Sequence, residues 1–227
     1  MPTDIQIIPA ILATTEEEYR EKIEKVSTCP EFARPERGRR AEGWVQIDIM
    51  DGKFVPNKSV GLDVIRKYPT MLQKEAHLMV EDPSKWVVDL INLGFERIAV
   101  HAEVVPEEAR QALSLINSFH KISILALNPE TSVEQYKYFE PLVRGVLVMS
   151  VPPGFGGQEF IPDTVDKVRK AREYVAPQHF IEVDGGIDEK SAKLLSEAGA
   201  NYLVIGKSLT DGNVAENLEK IRQSLRD

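Results

Sequence analysis

Cysteine is almost absent. Cys29 is the only one in 227 residues, so no internal disulfide can form, and a reducing cytoplasmic compartment is the expectation. Long apolar runs are also missing: no stretch approaches the ~20 residues that a membrane helix needs. The polar opening residues lead directly into a strand pattern, so no secretory leader is expected. Positive charge is in deficit, with 28 Lys and Arg against 36 Asp and Glu and a net charge of −8. That balance argues against nucleic acid as a partner and favours solubility. What remains is 42% hydrophobic, enough to fill a core. The length is generous for an average domain but ordinary for a single α/β barrel.

Short β-like runs alternate with amphipathic helical patterns. The strand candidates are Ile5–Leu12, Trp44–Met50, Glu75–Val80, Arg97–His101, Ile122–Leu127, Gly145–Met149, Phe180–Asp184 and Tyr202–Ile205. Between most of them lies a helix with readable ends. Thr15 and Glu18 form a capping-box pattern, and Tyr19, Ile23 and Val26 then share one helical face. A helix through Trp86 and Leu90 should stop at Gly94; another, capped by Asp188, should bury Ala192 and Leu195 and stop at Gly199. Eight strands separated by helices predict parallel pairing and closure into an α/β (β/α)8 TIM barrel, one domain over residues 1–227. An open doubly wound sheet would need an early nucleotide-type glycine fingerprint, which the chain lacks. Thr28–Gly43 breaks the rhythm with Arg34, Arg37, Arg39 and Arg40. As a helix-to-strand connection it belongs on the N-terminal face of a barrel, a solvated or subunit-contacting insertion rather than a substrate clamp.

The most informative stretch is Val151-Pro-Pro-Gly-Phe-Gly-Gly-Gln-Glu-Phe160. Three glycines in four residues after a strand let backbone N–H groups face one way and cradle a phosphate without side-chain charge. Two further strand ends carry glycines, Asp184-Gly185-Gly186 and Gly206-Lys207. Alternation on the second strand places Trp44, Gln46, Asp48 and Met50 on the face opposite Val45, Ile47 and Ile49. The β-branched set should pack on helices, so the polar set faces inward. By the same rule Glu75, His77 and Met79 face inward, and Asp48, His77 and Asp184 converge on the barrel mouth. One inward histidine or one strand-end acid is ordinary core furniture. Two buried acids and a histidine at the same end need pairing or a metal, which favours function. His101 also ends a strand, with pocket and structural roles both open, while His120 and His179 lie at element boundaries and carry no signal.

Trp44–Asn57 (WVQIDIMDGKFVPN), Ala76–Pro83 (AHLMVEDP), Ala126–Pro129 (ALNP), Met149–Phe160 (MSVPPGFGGQEF) and Glu182–Gly186 (EVDGG) resemble the ribulose-phosphate 3-epimerases, in family order from Ile8 to about Gly212. The resemblance implies metal-assisted epimerisation of D-ribulose 5-phosphate to D-xylulose 5-phosphate. It makes Asp48 and Asp184 the acid/base pair working on opposite faces of C3. One divalent ion (Zn, Mn, Fe or Mg) would be held by Asp48, His77 and Asp184 with Gln46 beside them, and would stabilise the enediolate. Met50, Met79 and Met149 become a polarisable wall, with His77 also near the substrate. The phosphate falls to Gly154, Phe155, Gly156, Gly157, Gly185, Gly186, Gly206 and Lys207. The implied partner is a small phosphorylated sugar, with neither nucleic acid nor membrane, in an assembly of like subunits.

Three positions depart from the family pattern. Gln46 replaces the histidine usual two residues before the first acid, Ala10 replaces a substrate-contacting serine, and Lys207 replaces a serine at the phosphate end. An amide oxygen is a harder, poorer ligand than imidazole, so zinc should bind less well and Mn²⁺ or Mg²⁺ compete better. Glu75, longer than the acid usual there, is expected to repack the floor of the site. The departures leave two alternatives open: a paralogue acting on another phosphosugar or enediolate reaction, metal-free with Gln46 as amide donor, or a phosphosugar-binding protein without catalysis.

Overall fold

The structure, a computed structural model, describes residues 5–33 and 43–226. Eight strands, β1 (Gln6–Ile11), β2 (Trp44–Met50), β3 (Gln73–Met79), β4 (Phe95–His101), β5 (Ile122–Leu127), β6 (Gly145–Met149), β7 (Phe180–Asp184) and β8 (Tyr202–Ile205), pair in parallel and close in sequence order. Closure comes from β1 against β8, with Gln6 opposite Tyr202 and Pro9 opposite Ile205. This is the expected (β/α)8 barrel. β3 and β4 each begin two residues before the expected start, and β1 and β3 end one residue early. Longer helices cover the outside: α1 (Glu16–Ser27), α4 (Ser84–Asn92), α5 (Pro106–Ser118), α7 (Thr164–Tyr174), α8 (Glu189–Ala198) and α10 (Val214–Arg226), with short α2 (Pro30–Ala33), α3 (Leu62–Lys67), α6 (Tyr136–Phe139) and α9 (Lys207–Thr210).

Helix ends follow local chemistry. Asp188 caps α8 through a reciprocal bond pair with Ser191, and Gly199 ends it in the left-handed region at φ 102, where a side chain would be strained. α4 gives way to Gly94 at φ 80, as its sequence predicts. The capping box of α1 needs correction. Thr15 accepts from the Glu18 N–H at 3.2 Å, but the Glu18 carboxylate takes the N–H of Thr14 at 2.9 Å, one residue earlier than the motif requires. Part of the arginine-rich segment folds as α2; Arg34, Arg37, Arg39 and Arg40 lie outside the described residues.

Alternation separates the two faces of the sheet. Val45, Ile47 and Ile49 on β2, with Ala76 and Leu78 on β3, join Tyr19, Ile23, Leu90 and Leu195 in the core between barrel and helices. Inside the barrel one half is apolar, with Ala99, Ile124, Ala126, Leu147 and Met149 packed together. The other half is polar and layered. At the floor the Arg97 guanidinium lies 3.7 Å from the Trp44 ring centre, 4.5 Å from Tyr202 and 5.0 Å from Phe180. Above it come Gln46, Glu75 and Glu182, all fully buried. Arg97 is 3.5 Å from Glu75. Burial, then the neighbouring Glu75, pushes the Glu182 carboxyl well up, so this layer keeps a proton in place of a second negative charge. One strand pair higher stand Asp48, His77 and Asp184.

Candidate active site

β-sheet register delivers these three side chains to one level. Asp48 on β2 sits opposite His77 on β3, and Asp184 ends β7 opposite Met149. Their donor atoms all lie within 4.8 Å of one another. His77 Nδ1 is 3.3 Å from Asp48 Oδ1 and 3.4 Å from Asp184 Oδ2, yet it makes no hydrogen bond to either and remains a buried atom without a partner. Gln46 Nε2 donates to Asp184 Oδ2 at 2.8 Å and to Asp48 Oδ1 at 3.2 Å, while Gln46 Oε1 has no partner. Burial, reinforced by Asp184, pushes the Asp48 carboxyl up despite the opposing pull of His77. Burial alone would lower His77, but Asp184 and Asp48 lift it to about 9.

Behind His77 a relay fixes the ring. His77 Nε2 is 2.8 Å from His101 Nε2, and His101 Nδ1 is 2.9 Å from Glu103 Oε2. Glu103 is held in turn by the Asn128 N–H at 2.7 Å. Burial would raise the Glu103 carboxyl, but its bond from His101 and the Asn128 N–H hold it low. Burial holds the His101 imidazole low, hence neutral. The carboxylate can only accept, so His101 carries its proton on Nδ1 and accepts on Nε2; His77 must then donate from Nε2. Nδ1 is then the atom aimed between the two aspartates, protonated in the metal-free protein and offering a lone pair once a cation displaces that proton. Two carboxylates, an imidazole nitrogen turned toward them and a buried setting suit a divalent cation.

The centre opens into a cavity of about 800 Å³. Asp48, His77, Asp184, Met79 and Met149 line it. So do Gly154, Phe155, Gly156, Gly157, Gly185, Gly186, Gly206 and Lys207, together with Ala10. The sequence-selected residues therefore meet, with one exception. Met50 is 1% exposed and packs beside Val55 and Met79 behind the wall, because β2 ends there and its last side chain turns under the following loop. That loop in turn pins the glycine loop after β6: Asn57 donates to the Gly154 carbonyl at 3.0 Å, and within the glycine loop Gln158 donates to the carbonyls of Pro152 and Phe155. Gly186 has φ +60, and a Cβ there would come within 2.6 Å of Phe160 N and 2.7 Å of the Gln158 carbonyl.

The family model described as "Ribulose-phosphate 3 epimerase family" matches residues 6–210. The chain belongs to the ribulose-phosphate 3-epimerase family. Members of this carbohydrate epimerase family interconvert D-ribulose 5-phosphate and D-xylulose 5-phosphate and use a divalent metal. The ribulose-phosphate 3-epimerase of Synechocystis sp. is 34% identical across 100% of this chain and 96% of its own length. That of Chlamydia muridarum is 42% identical over 70% of this chain and 73% of its own. The chloroplastic ribulose-5-phosphate-3-epimerase of Arabidopsis thaliana is 34% identical over 99% of this chain and 78% of its own. A solved 3-hexulose-6-phosphate synthase superposes with TM-score 0.68 at 15% identity, over 97% of this chain and all of that one. A tryptophan synthase alpha-subunit mutant from Pyrococcus furiosus gives 0.70 at 15%, over all of both chains. At such identities these two structures speak for the fold alone.

Sequence reading missed three contributors. Glu103 and the pinning role of Asn57 depend on loop geometry that no periodicity reports. Ser150, fully buried, donates to the Asp184 carbonyl at 2.9 Å and so fixes the end of β7. The signal for His101 was present as an inward histidine at a strand end; its partner across the sheet was not. His179 belongs elsewhere, bonded to Tyr136 Oη at 2.8 Å.

Proposed function

We propose that this chain epimerises C3 of D-ribulose 5-phosphate, with Asp48 and Asp184 exchanging the proton on opposite faces of that carbon. The observation that carries the reading is the meeting of two buried carboxylates in one cavity that is also lined by the glycine loops. The C3 proton is acidified by the neighbouring ketone. One aspartate removes it and the other returns a proton from the far side, so inversion requires acids reaching in from strands apart around the barrel. The carboxyl of Asp48, pushed up by burial, suits a group that must both take and give a proton. Met79 and Met149 exclude water from the planar intermediate. Backbone N–H groups at Gly154–Gly157 and Gly185–Gly186 hold the phosphate, and Lys207 adds a cation at the rim.

Asp48, Asp184 and His77 Nδ1 would hold a divalent ion with Gln46 beside them, and the ion when bound supplies charge that makes the C–H more acidic. An oxygen-rich donor set favours Mn²⁺, Fe²⁺ or Mg²⁺ over zinc. The lone, buried Cys29 is compatible with the reducing cytoplasm, and an assembly of like subunits is the family expectation.

The test is solvent deuterium incorporation at C3 of ribulose 5-phosphate, followed by NMR. Asp48→Asn and Asp184→Asn should each lower exchange by about 10²–10⁴-fold. Binding of the sugar phosphate without exchange in the wild type would make the chain a binder, and exchange only on a six-carbon phosphoketose would make it a paralogue.

A further inference from the structure

Gln46 is fully buried on β2, and its amide is engaged on one side only. The –NH2 spans the two aspartates, while Oε1 is left without a partner. Carboxylates only accept, so in this arrangement the nitrogen must face them. A buried, unpaired amide oxygen is unfavourable, which makes the orientation conditional on what lies between the acids. A cation would reverse it, because a neutral amide ligates metals through oxygen and its nitrogen offers no lone pair. The terminal torsion of glutamine is broad and roughly two-fold, so a half-turn exchanges N and O without moving the carbon skeleton. The turned –NH2 also has a candidate acceptor: Glu75, the register neighbour of Gln46 on β3, is a buried carboxylate that Arg97 approaches only to 3.5 Å.

We propose that Gln46 is a two-position side chain that sets the metal preference of the centre. Its –NH2 bridges Asp48 and Asp184 in the metal-free protein, and its oxygen turns inward to join them when a divalent cation binds. The metal-free chain thereby carries its own donor between two like charges. An incoming ion must displace that donor, which lowers affinity for every ion. An oxygen ligand replaces the nitrogen that zinc prefers, so the loss is greatest for zinc and least for oxygen-seeking ions. The inference rests on the family reading only for the use of a divalent metal.

The experiment uses full-length protein stripped with chelator and titrated with Zn²⁺ and with Mn²⁺, alongside Q46M and Q46H. Thermal midpoints are recorded without metal, and the Gln46 side-chain NH2 signals, assigned by their loss in Q46M, are followed by NMR as Zn²⁺ is added. Q46M should lower the metal-free midpoint and also weaken Mn²⁺ binding, by roughly tenfold or more. Q46H should tighten Zn²⁺ relative to Mn²⁺, and the wild-type NH2 signals should shift as their bonds to the carboxylates are lost. Q46M weakening metal alone would make Gln46 a fixed ligand; Q46M lowering the midpoint alone would make it a fixed donor. Either result overturns the proposal, as do unmoved NH2 signals at saturating Zn²⁺ or a wild type that binds neither ion. Should Q46M fail to fold, the wild-type NMR titration decides, with the NH2 pair assigned in Q46H. None of these readouts uses substrate, so absent C3 exchange with the expected metal results would sink the epimerase reading and leave this one standing.

Discussion

At the residue scale the centre is defined by what each side chain is denied. His77 turns Nδ1 toward the two aspartates because His101 and Glu103 commit the opposite nitrogen. Glu103→Ala removes the acceptor that fixes the His101 tautomer. It should weaken divalent-metal binding by about 10–100-fold, measured by competition with a chelating dye. Unchanged affinity would show that the tautomer is fixed by other means. The inward placement of Asp48 and His77 was legible from strand alternation alone. The relay was not, because Glu103 meets His101 across a turn and His101 meets His77 across the sheet, where no sequence period applies.

At the element scale the strands were readable almost to the residue, since β-branched outward faces and polar inward faces mark the pleat. Ends shifted by one or two residues at β1, β3 and β4, where hydrogen bonding to a neighbour rather than side-chain pattern decides the limit. The glycine loop after β6 was legible as a phosphate cradle in kind, but its rigidity came from Asn57 and Gln158. Its partner loop after β7 gives a sharper test. Gly186→Ala places a Cβ against backbone at 2.6 Å in a left-handed conformation, a strain of about 1–3 kcal/mol before any clash. The KM for the sugar phosphate should rise and inhibition by inorganic phosphate weaken, with less change in kcat. A fall in kcat alone would mean that this loop does not hold the phosphate.

For the whole molecule the barrel floor and the charge state of the centre govern stability. Arg97 closes the floor among three aromatic rings and sits against the buried Glu75. Arg97→Ala leaves that carboxylate uncompensated and should cost about 3–5 kcal/mol, read as a loss in chemical denaturation; a loss under 1 kcal/mol would mean that Glu75 simply takes up a proton. In chelator His77 is protonated up to about 9, above the roughly 6.5 of a free imidazole. The native state then binds more protons than the unfolded chain between those values. The stabilisation is therefore complete below about pH 6.5 and is lost as pH rises through about 9, on the order of 3 kcal/mol in all. Saturating divalent metal should flatten that dependence by taking the Nδ1 position, and a slope unchanged by metal would place the ion elsewhere.

The sequence by itself determined the barrel, the inward acids, the glycine loops and the family, because each is written in short-range periodicity or in contiguous motifs. Only the tertiary structure decided how the centre is wired. Gln46 and Asp184 touch although 138 residues separate them, and barrel closure sets which amide atom faces the acids, which histidine nitrogen turns toward them and which methionine reaches the cavity. Those outcomes depend on distances of a few ångströms between strands remote in the chain, and local pattern carries no information about them.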